Sequence, residues 1–266
     1  MEDLLPFGFD GFELGSVHTQ SKLSVEDIEF FRQVNIVTHN FFPAHIDQNF
    51  VINIADINED SRKRSVDHAI FCLRQAADIG AKVYTIHPGF VSRALPRSGG
   101  LNYDFQFDEN YADRNLCLSI MRESLETLMQ ESLRVGVKLA VETEGSITSP
   151  GRCLMETPEE FEWIKTELGT ELKINFNVCH SLFAARVYNF SLDNFAQSIS
   201  DRIELIELSH NDGSGDQHQP FTASSEVLNY CVDFPTIPHI LEFRDCSLKD
   251  VLTSRDLLRE RWMKHG

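Results

Sequence analysis

Basic residues are scarce in this sequence. The 24 Lys and Arg residues are outnumbered by 41 Asp and Glu residues, which gives a formal net charge of −17 at pH 7. An extended surface for a nucleic-acid backbone needs clustered Lys and Arg, so the composition argues against a nucleic-acid partner. A small anionic substrate stays compatible with this charge, because bound divalent cations would reverse its sign locally.

Cysteine pairs and long apolar runs are also missing. The six cysteines are scattered and form no Cys-x-x-Cys motif, which is typical neither of a disulfide framework nor of a zinc ribbon. No stretch approaches the roughly 18 apolar residues of a membrane span, and the first residues lack the basic and apolar regions of a signal peptide. We therefore expect a cytoplasmic protein with reduced, buried thiols and no membrane partner.

The sequence contains no Pro/Gly/Ser-rich linker and no repeat visible by eye. Its 266 residues, 42% of them apolar, are enough for one large α/β domain, and we predict a single domain over residues 1–266. Strands and helices alternate along it. The predicted strands are 9–16, 34–38, 81–86, 137–141, 172–176, 203–208 and 237–241. The predicted helices are 24–32, 61–79, 110–135, 158–168, 192–200 and 248–264, with a further helical turn in 224–232.

The segment 203–218 carries the strongest local signal for a functional site. It begins as a strand with apolar Ile203, Leu205, Ile206 and Leu208, and then becomes a Gly-rich loop. The end of the strand and its loop carry five acidic or imidazole side chains: Glu207, His210, Asp212, Asp216 and His218. A polar turn would explain Asn-Asp-Gly alone, but the Asp-x-His that follows favours a metal site at the end of the strand.

Polar side chains follow almost every predicted strand. In chain order they are His39, His87, Glu142, Asn177 with His180, Glu207 with Asp216 and His218, and Glu242. In an open doubly wound sheet the ligand residues concentrate at one switch point, whereas in a (β/α)₈ barrel all strand ends converge on one mouth. The series therefore favours a TIM-type barrel.

These motifs resemble the xylose isomerase-like TIM barrels, a superfamily of sugar isomerases and epimerases that also contains endonuclease IV. The resemblance rests on Val-Thr-His39, Ile-His87-Pro-Gly, Ala-Val-Glu142, Asn177-x-x-His180, Glu207-x₈-Asp216-x-His218 and Leu-Glu242. It implies three cation positions. Their ligands would be His39, His87 and Glu142 for the first, Glu142, Asn177, Glu207 and Glu242 for the second, and His180, Asp216 and His218 for the third.

Two of these positions depart from the family pattern. Asn177 stands where the family usually has Asp, and Glu207 stands where it usually has His. The pair still supplies one carboxylate and one neutral ligand, so we expect an active site with one to three divalent ions. Its carboxylate-rich ligands favour Mn²⁺ or Mg²⁺ over Zn²⁺.

The resemblance implies two alternative chemistries. In the epimerase branch, Glu142 and Glu242 would remove and return a proton next to a carbonyl of a sugar or sugar phosphate, which a cation polarises. In the endonuclease branch, clustered cations would activate hydroxide for phosphodiester hydrolysis. A catalytically silent barrel that acts as a binding partner is a third reading. We expect His210 and Arg152 to contact substrate, and the loops 40–56, 90–108 and 143–156 to set specificity.

One departure concerns the fold. The family usually has two strands before the one that carries His39, and only 9–16 is visible here. We therefore predict a seven-stranded barrel, incomplete or gapped, whose first β/α unit is missing or truncated. Exposed strand edges at a gap would favour a homodimer that covers them.

Overall fold

The computed structural model describes residues 2–15, 24–40, 42–43, 50–96, 105–230 and 233–265. The chain forms two compact units, each of which gathers segments distant in sequence. The first unit comprises Met1–Val141, Gly151–Leu154 and Glu162–Lys173, and the second comprises Glu142–Pro150, Met155–Phe161 and Ile174–Gly266.

The first unit is built on parallel strands. Strands β1 (Gly11–Leu14), β2 (Asn35–His39) and β3 (Val83–Ile86) pair in that order, and β6 (Lys138–Glu142) pairs with β3 up to Val141. All four residues of β3 are buried, as expected for a parallel strand covered on both faces. Because β2 and β3 run in the same direction side by side, their carboxyl ends bring His39 and His87 to one edge.

Three helices of this unit begin at side-chain caps that the sequence encodes. Ser24 caps α1 (Val25–Phe31) in a capping box with Asp27, Asn58 caps α2 (Glu59–Asp78), and Asp113 caps α3 (Arg114–Val135). Each cap accepts a hydrogen bond from a backbone N–H that the helix leaves unpaired. Gly136 ends α3 with φ 74°, a left-handed conformation that glycine adopts without strain.

A short hairpin interrupts the segment 90–108, which the sequence suggested to be a long polar loop. Strands β4 (Ala94–Pro96) and β5 (Phe105–Phe107) pair antiparallel. Phe105 and Phe107 lie on one face of β5 and pack against Phe90, with ring centroids 5.3 and 5.1 Å away. This aromatic contact stabilises the hairpin. The alternation of apolar and polar residues in β5 covers only three residues, which is too short to predict a strand from the sequence.

The second unit contains three further parallel strands. These are β7 (Lys173–Asn177), β8 (Ile203–Leu208) and β9 (His239–Leu241), with Asn177 beside Glu207 and Leu208 beside Leu241. Glu242 directly follows β9, and its backbone N–H donates to the carbonyl of Leu208 at 3.1 Å. The carboxyl ends of these strands therefore place Asn177, Glu207 and Glu242 close together.

The remaining helices are α4 (Pro158–Leu168), α5 (Val178–Tyr188), α6 (Leu192–Ile199) and α7 (Leu248–His265). Two 3₁₀ helices cover Glu2–Phe7 and Glu226–Asn229, the second within the segment expected to contain a helical turn. Within the described residues, seven strands are parallel and no eighth is found, in agreement with the predicted seven-stranded arrangement. None of the described helices is both long and apolar enough to cross a lipid bilayer.

Helix α5 is absent from the predicted elements, although it carries part of the site. It begins immediately after β7, with Asn177 as its N-cap and His180 in its first turn. Gly145 lies against this turn: a Cβ there would meet the His180 carbonyl oxygen at 2.1 Å and the Ala184 backbone nitrogen at 2.8 Å. The close approach requires glycine and fixes the backbone that carries His180.

Candidate metal centre

Asn177 is the centre of a buried hydrogen-bond network in the second unit. Its Nδ2 lies 2.9 Å from Oε1 of Glu142, 3.0 Å from Oε2 of Glu207 and 3.3 Å from Oε2 of Glu242. Its Oδ1 accepts the backbone N–H of His180 at 3.2 Å. One amide thus contacts three carboxylates that are separated by up to 100 positions in the sequence.

Each of the three carboxylates also has a second partner. His180 Nδ1 lies 3.1 Å from Oε1 of Glu142, and His218 Nδ1 lies 3.1 Å from Oε2 of Glu242. Asn175 Nδ2 donates to Oε1 of Glu207 at 2.6 Å. Each carboxylate therefore has a nitrogen on a second side: a hydrogen-bond donor for Glu207, and an imidazole at ion-pair distance for Glu142 and Glu242.

The two histidines present their other ring nitrogens to Asp216. Nε2 of His180 lies 3.5 Å from Oδ1 of Asp216, and Nε2 of His218 lies 2.7 Å from Oδ2. Both imidazoles therefore have a carboxylate at each nitrogen. A histidine whose Nδ1–H donates to a carboxylate is held in the tautomer that offers Nε2 to a cation.

The charges of this cluster shift the pKa values of its members. For His180, burial favours the neutral ring, but Asp216 and Glu142 outweigh that effect and hold the pKa well above its usual value. For His218, burial also lowers the pKa, and Glu242 and Asp216 nevertheless raise it to about 9. Burial acts in the opposite direction on Asp216, where the two histidines hold the pKa far below its ordinary value.

The donor set around Asp216 fits a divalent cation. One ligand atom from each of His180, Asp216 and His218 lies within 4.8 Å of the other two. Both histidines are buried, whereas the Asp216 side chain is 37% exposed and leaves a path from solvent. Two imidazoles and a carboxylate are a donor set that Zn²⁺ and Mn²⁺ accept in proteins.

The first unit holds a second pair of predicted ligands. Nε2 of His39 lies 3.3 Å from Nε2 of His87, and the rings meet edge to face with centroids 5.0 Å apart. Nδ1 of His39 lies 2.6 Å from the hydroxyl of Thr85. Two imidazole nitrogens at this distance can share a proton or ligate one ion.

The two residues predicted to contact substrate lie in different surroundings. Arg152 donates to the Ser92 hydroxyl at 2.6 Å and to the Asp108 carbonyl oxygen, and its guanidinium stacks 3.7 Å above the Tyr111 ring. These contacts fasten the β4–β5 hairpin to its own unit. His210 pairs its backbone with Gln219 through two 2.7 Å hydrogen bonds and is only partly buried. A substrate contact at either residue stays a prediction.

The sequence does not identify Asn175 or Arg244 as neighbours of the site, and Glu144 was expected on the opposite side of its strand from Glu142, although residues two apart share one side. Asn175 lies two positions before Asn177 in β7, so its side chain points to the same face, a period that could have identified it. Glu144 lies 3.8 Å from His180 Nδ1, and Arg244 lies 3.7 Å from Asp216. The contact of Arg244 follows from loop geometry, for which the sequence has no comparable signal.

Comparison with known proteins relates the chain to one family and its fold. A family model described as xylose isomerase-like TIM barrel matches residues 2–247. An uncharacterized protein of Methanocaldococcus jannaschii is 28% identical over 167 residues, and the match covers 63% of this chain. The chain spans only 55% of the length of that relative.

Solved structures with the same architecture include both branches of the superfamily. A D-tagatose 3-epimerase-like protein superposes with a TM-score of 0.73 at 20% identity, covering 99% of this chain and 92% of that chain. Endonuclease IV from Thermus thermophilus superposes with a TM-score of 0.66 at 15% identity, covering 100% and 93%. These similarities confirm the predicted α/β TIM-type fold.

Proposed function

The chain belongs to the xylose isomerase-like TIM barrel family, and on that premise we propose that it is a metal-dependent sugar or sugar-phosphate isomerase or epimerase. The observation that carries the proposal is the sharing of one amide nitrogen, Asn177 Nδ2, by Glu142 and Glu242. Two carboxylates fixed next to each other can remove and return a proton at neighbouring substrate atoms.

The cation would be held by Nε2 of His180, a carboxylate oxygen of Asp216 and Nε2 of His218. When bound, it would polarise a substrate carbonyl and stabilise negative charge on the carbonyl oxygen. Nδ1 of each histidine lies 3.1 Å from Glu142 or Glu242, so the proposed acid–base residues also orient the proposed ligands. We further propose that His39 and His87 of the first unit provide a second set of imidazole ligands.

The two carboxylates differ in their access to a substrate. The Glu242 side chain is 28% exposed, whereas Glu142 is 1% exposed. Glu242 would therefore meet the substrate from the solvent side and remove the proton next to the carbonyl. Glu142, in its protonated form and held by Asn177 and His180, would deliver its own proton to the carbon, and Glu242 would keep the proton that it removed.

The names of structural relatives support the substrate class. They include the D-tagatose 3-epimerase-like protein and an L-ribulose 3-epimerase, which superposes with a TM-score of 0.69 at 9% identity over 99% of this chain and 88% of that chain. Such low identity establishes a common fold alone, and the sugar substrate is our inference from the paired carboxylates. Ketopentoses, ketohexoses and their phosphates are the compounds to try first.

The proposal is tested by incorporation of solvent deuterium. The purified protein with Mn²⁺ is incubated in D₂O with candidate sugars, and NMR follows exchange at the carbon next to the carbonyl. We expect exchange with at least one sugar, its loss in Glu242→Gln and Glu142→Gln, and its retention in Glu260→Gln. Glu260 is a matched control because it is an exposed carboxylate on α7.

One observation favours a second function, a metal-dependent phosphodiesterase. The ligand set His180, Asp216 and His218 combines two imidazoles with one carboxylate and would suit a cation that activates hydroxide. The net charge of −17 opposes binding of a nucleic-acid backbone. Cleavage of duplex DNA that contains an abasic site would support this alternative, and cation binding without exchange or cleavage would support a catalytically silent barrel.

A further inference from the structure

The side-chain nitrogen of Asn177 lies among three carboxylates. Its Nδ2 is within 3.3 Å of one oxygen each of Glu142, Glu207 and Glu242, and all three belong to the ligand set that the family pattern assigns to a second ion. Asn177 and Glu207 are both 1% exposed. The two N–H groups of the Asn177 amide therefore face oxygens that the family pattern assigns to an ion.

The orientation of this amide is fixed by the backbone of α5. Asn177 is the N-cap residue, and its Oδ1 accepts the N–H of His180. Rotating the amide by 180° would direct its NH₂ group at that backbone donor and leave the donor unpaired, which is unfavourable in a buried site. The NH₂ group consequently points towards the carboxylates, and an amide nitrogen of this kind does not ligate a divalent cation.

Each of the same carboxylates has a further nitrogen neighbour. Asn175 donates to Glu207, and the Nδ1 atoms of His180 and His218 lie 3.1 Å from Glu142 and Glu242. An aspartate at position 177 could cap α5 with one oxygen and direct the other towards the three glutamates. Four carboxylates would then require a cation to offset their repulsion.

We propose that Asn177 replaces one cation of the family pattern, so that the amide organises Glu142, Glu207 and Glu242 while the ion at His180, Asp216 and His218 remains. In this arrangement Asn177 is a positioning residue. Glu207 accepts hydrogen bonds from Asn175 and Asn177 and does not bind a metal ion. The inference rests on the proposed function for the remaining ion, and it concerns the number of ions rather than the reaction.

The test counts ions by elemental analysis after equilibration with Mn²⁺ and desalting. Asn177→Asp should hold one more ion per chain than the parent protein, and Mn²⁺ should raise its melting temperature more than that of the parent. Asn175→Asp is the matched control: it also adds a buried carboxylate beside Glu207, and we expect no additional ion. Equal ion counts and equal Mn²⁺ effects in the parent and Asn177→Asp would overturn the inference.

A second pair of variants addresses the role of Glu207. In the parent, Glu207→Gln should leave the ion count unchanged, because Glu207 is not a ligand there. A lower count in that variant would contradict the inference. Should Asn177→Asp fail to fold, the double variant Asn177→Asp/Glu207→His keeps the formal charge of the pair and should still gain one ion.

The outcomes separate this inference from the proposed function. A parent that binds no ion would refute the metal-dependent function. A parent that binds ions and catalyses exchange, but loses an ion in Glu207→Gln, would refute only the role assigned to Asn177.

Discussion

Nδ1 of His218 lies 3.1 Å from Oε2 of Glu242, a carboxylate that directly follows the last parallel strand. The contact connects the proposed proton-transfer residue to a proposed metal ligand. It orients the ring so that Nε2 points towards Asp216. A substitution at either residue should therefore change both the proton transfer and the affinity for the cation.

Removing the Glu242 charge should weaken cation binding although Glu242 is not a ligand of the remaining ion. Loss of a carboxylate that orients a ligating histidine usually lowers metal affinity by about 10–100-fold. We expect Glu242→Gln to raise the Kd for Mn²⁺ by about that factor, measured by calorimetric titration. Glu260→Gln, which changes an exposed carboxylate on α7, should leave the Kd unaltered, and an unchanged Kd in Glu242→Gln would argue against the orienting role.

Cation binding should be strongly pH-dependent. The pKa of His218 is raised to about 9, so this ring must lose a proton from Nε2 before it binds a cation, and the raised pKa of His180 acts in the same direction. Between pH 6 and 8 the affinity for Mn²⁺ should rise about tenfold per pH unit for each histidine that is deprotonated. Titrations in buffers of different ionisation enthalpy should show proton release, whereas binding without release would contradict this explanation.

The same shift makes a prediction for stability in the presence of a chelator. The pKa of His218 is raised from 6.5 to about 9 on folding. Its contribution to the free energy of unfolding is therefore full below pH 6.5 and is lost as the pH rises through 9. That contribution is on the order of 2–3 kcal/mol. The difference in the free energy of unfolding between the parent and His218→Gln should therefore shrink from pH 6 to pH 9.5, as followed by urea unfolding; a constant difference would count against the assigned ion pairs.

Gly145 should be indispensable for the geometry of His180. A Cβ at position 145 would lie 2.1 Å from the His180 carbonyl oxygen, so the backbone must move. We expect Gly145→Ala to destabilise the protein by about 1–3 kcal/mol and to weaken Mn²⁺ binding. Gly215→Ala is the control, because its Cβ would have only Thr148 Cγ2 nearby, at 3.6 Å; equal effects of the two changes would show that the close approach is unimportant.

Outside the site, Glu131 should stabilise the contact between α2 and α3. It accepts hydrogen bonds from Arg74 at 2.6 Å and from Arg134 at 2.5 and 2.8 Å, and these bonds lower its pKa to about 2. A lowered pKa stabilises the fold above pH 4.5, and this contribution disappears as the pH falls through 2.

Because both arginines are more than half exposed, we expect Glu131→Gln to cost only about 1 kcal/mol at pH 6. The parent and variant should converge in urea unfolding near pH 2. Glu123→Gln removes an exposed carboxylate 3.7 Å from Arg122 and should have a smaller effect. A pH-independent difference for Glu131→Gln would exclude the ion pairs as its cause.

The sequence predicted the strands and their polar ends because both have local signals. The apolar residues of runs such as 137–141 are buried in the structure, with Lys138 exposed, and the residue after each run reaches the carboxyl edge of the sheet. The helix caps at Ser24 and Asp113 are similarly local, because a short polar side chain there pairs with a backbone N–H three residues on.

The interior of the site depended on contacts that no local pattern encodes. No helix is predicted at Asn177-x-x-His180, yet Asn177 is the N-cap of α5. The helix is hard to predict because an apolar helix that follows a strand without a break resembles a continuation of the strand. The three carboxylates around Asn177 come from positions 35, 30 and 65 residues away. The sequence predicts that these residues lie close together, but it does not predict which hydrogen bonds their side chains form.

The most direct test is the position of the cation itself. Crystals soaked with Zn²⁺ should show an anomalous-scattering peak about 2.0–2.2 Å from Nε2 of His180, Nε2 of His218 and a carboxylate oxygen of Asp216. The region enclosed by Glu142, Glu207 and Glu242 should show no such peak, because the Asn177 amide occupies it. A protein without a peak beside Asp216, or with one between the three glutamates, would contradict the metal centre described above.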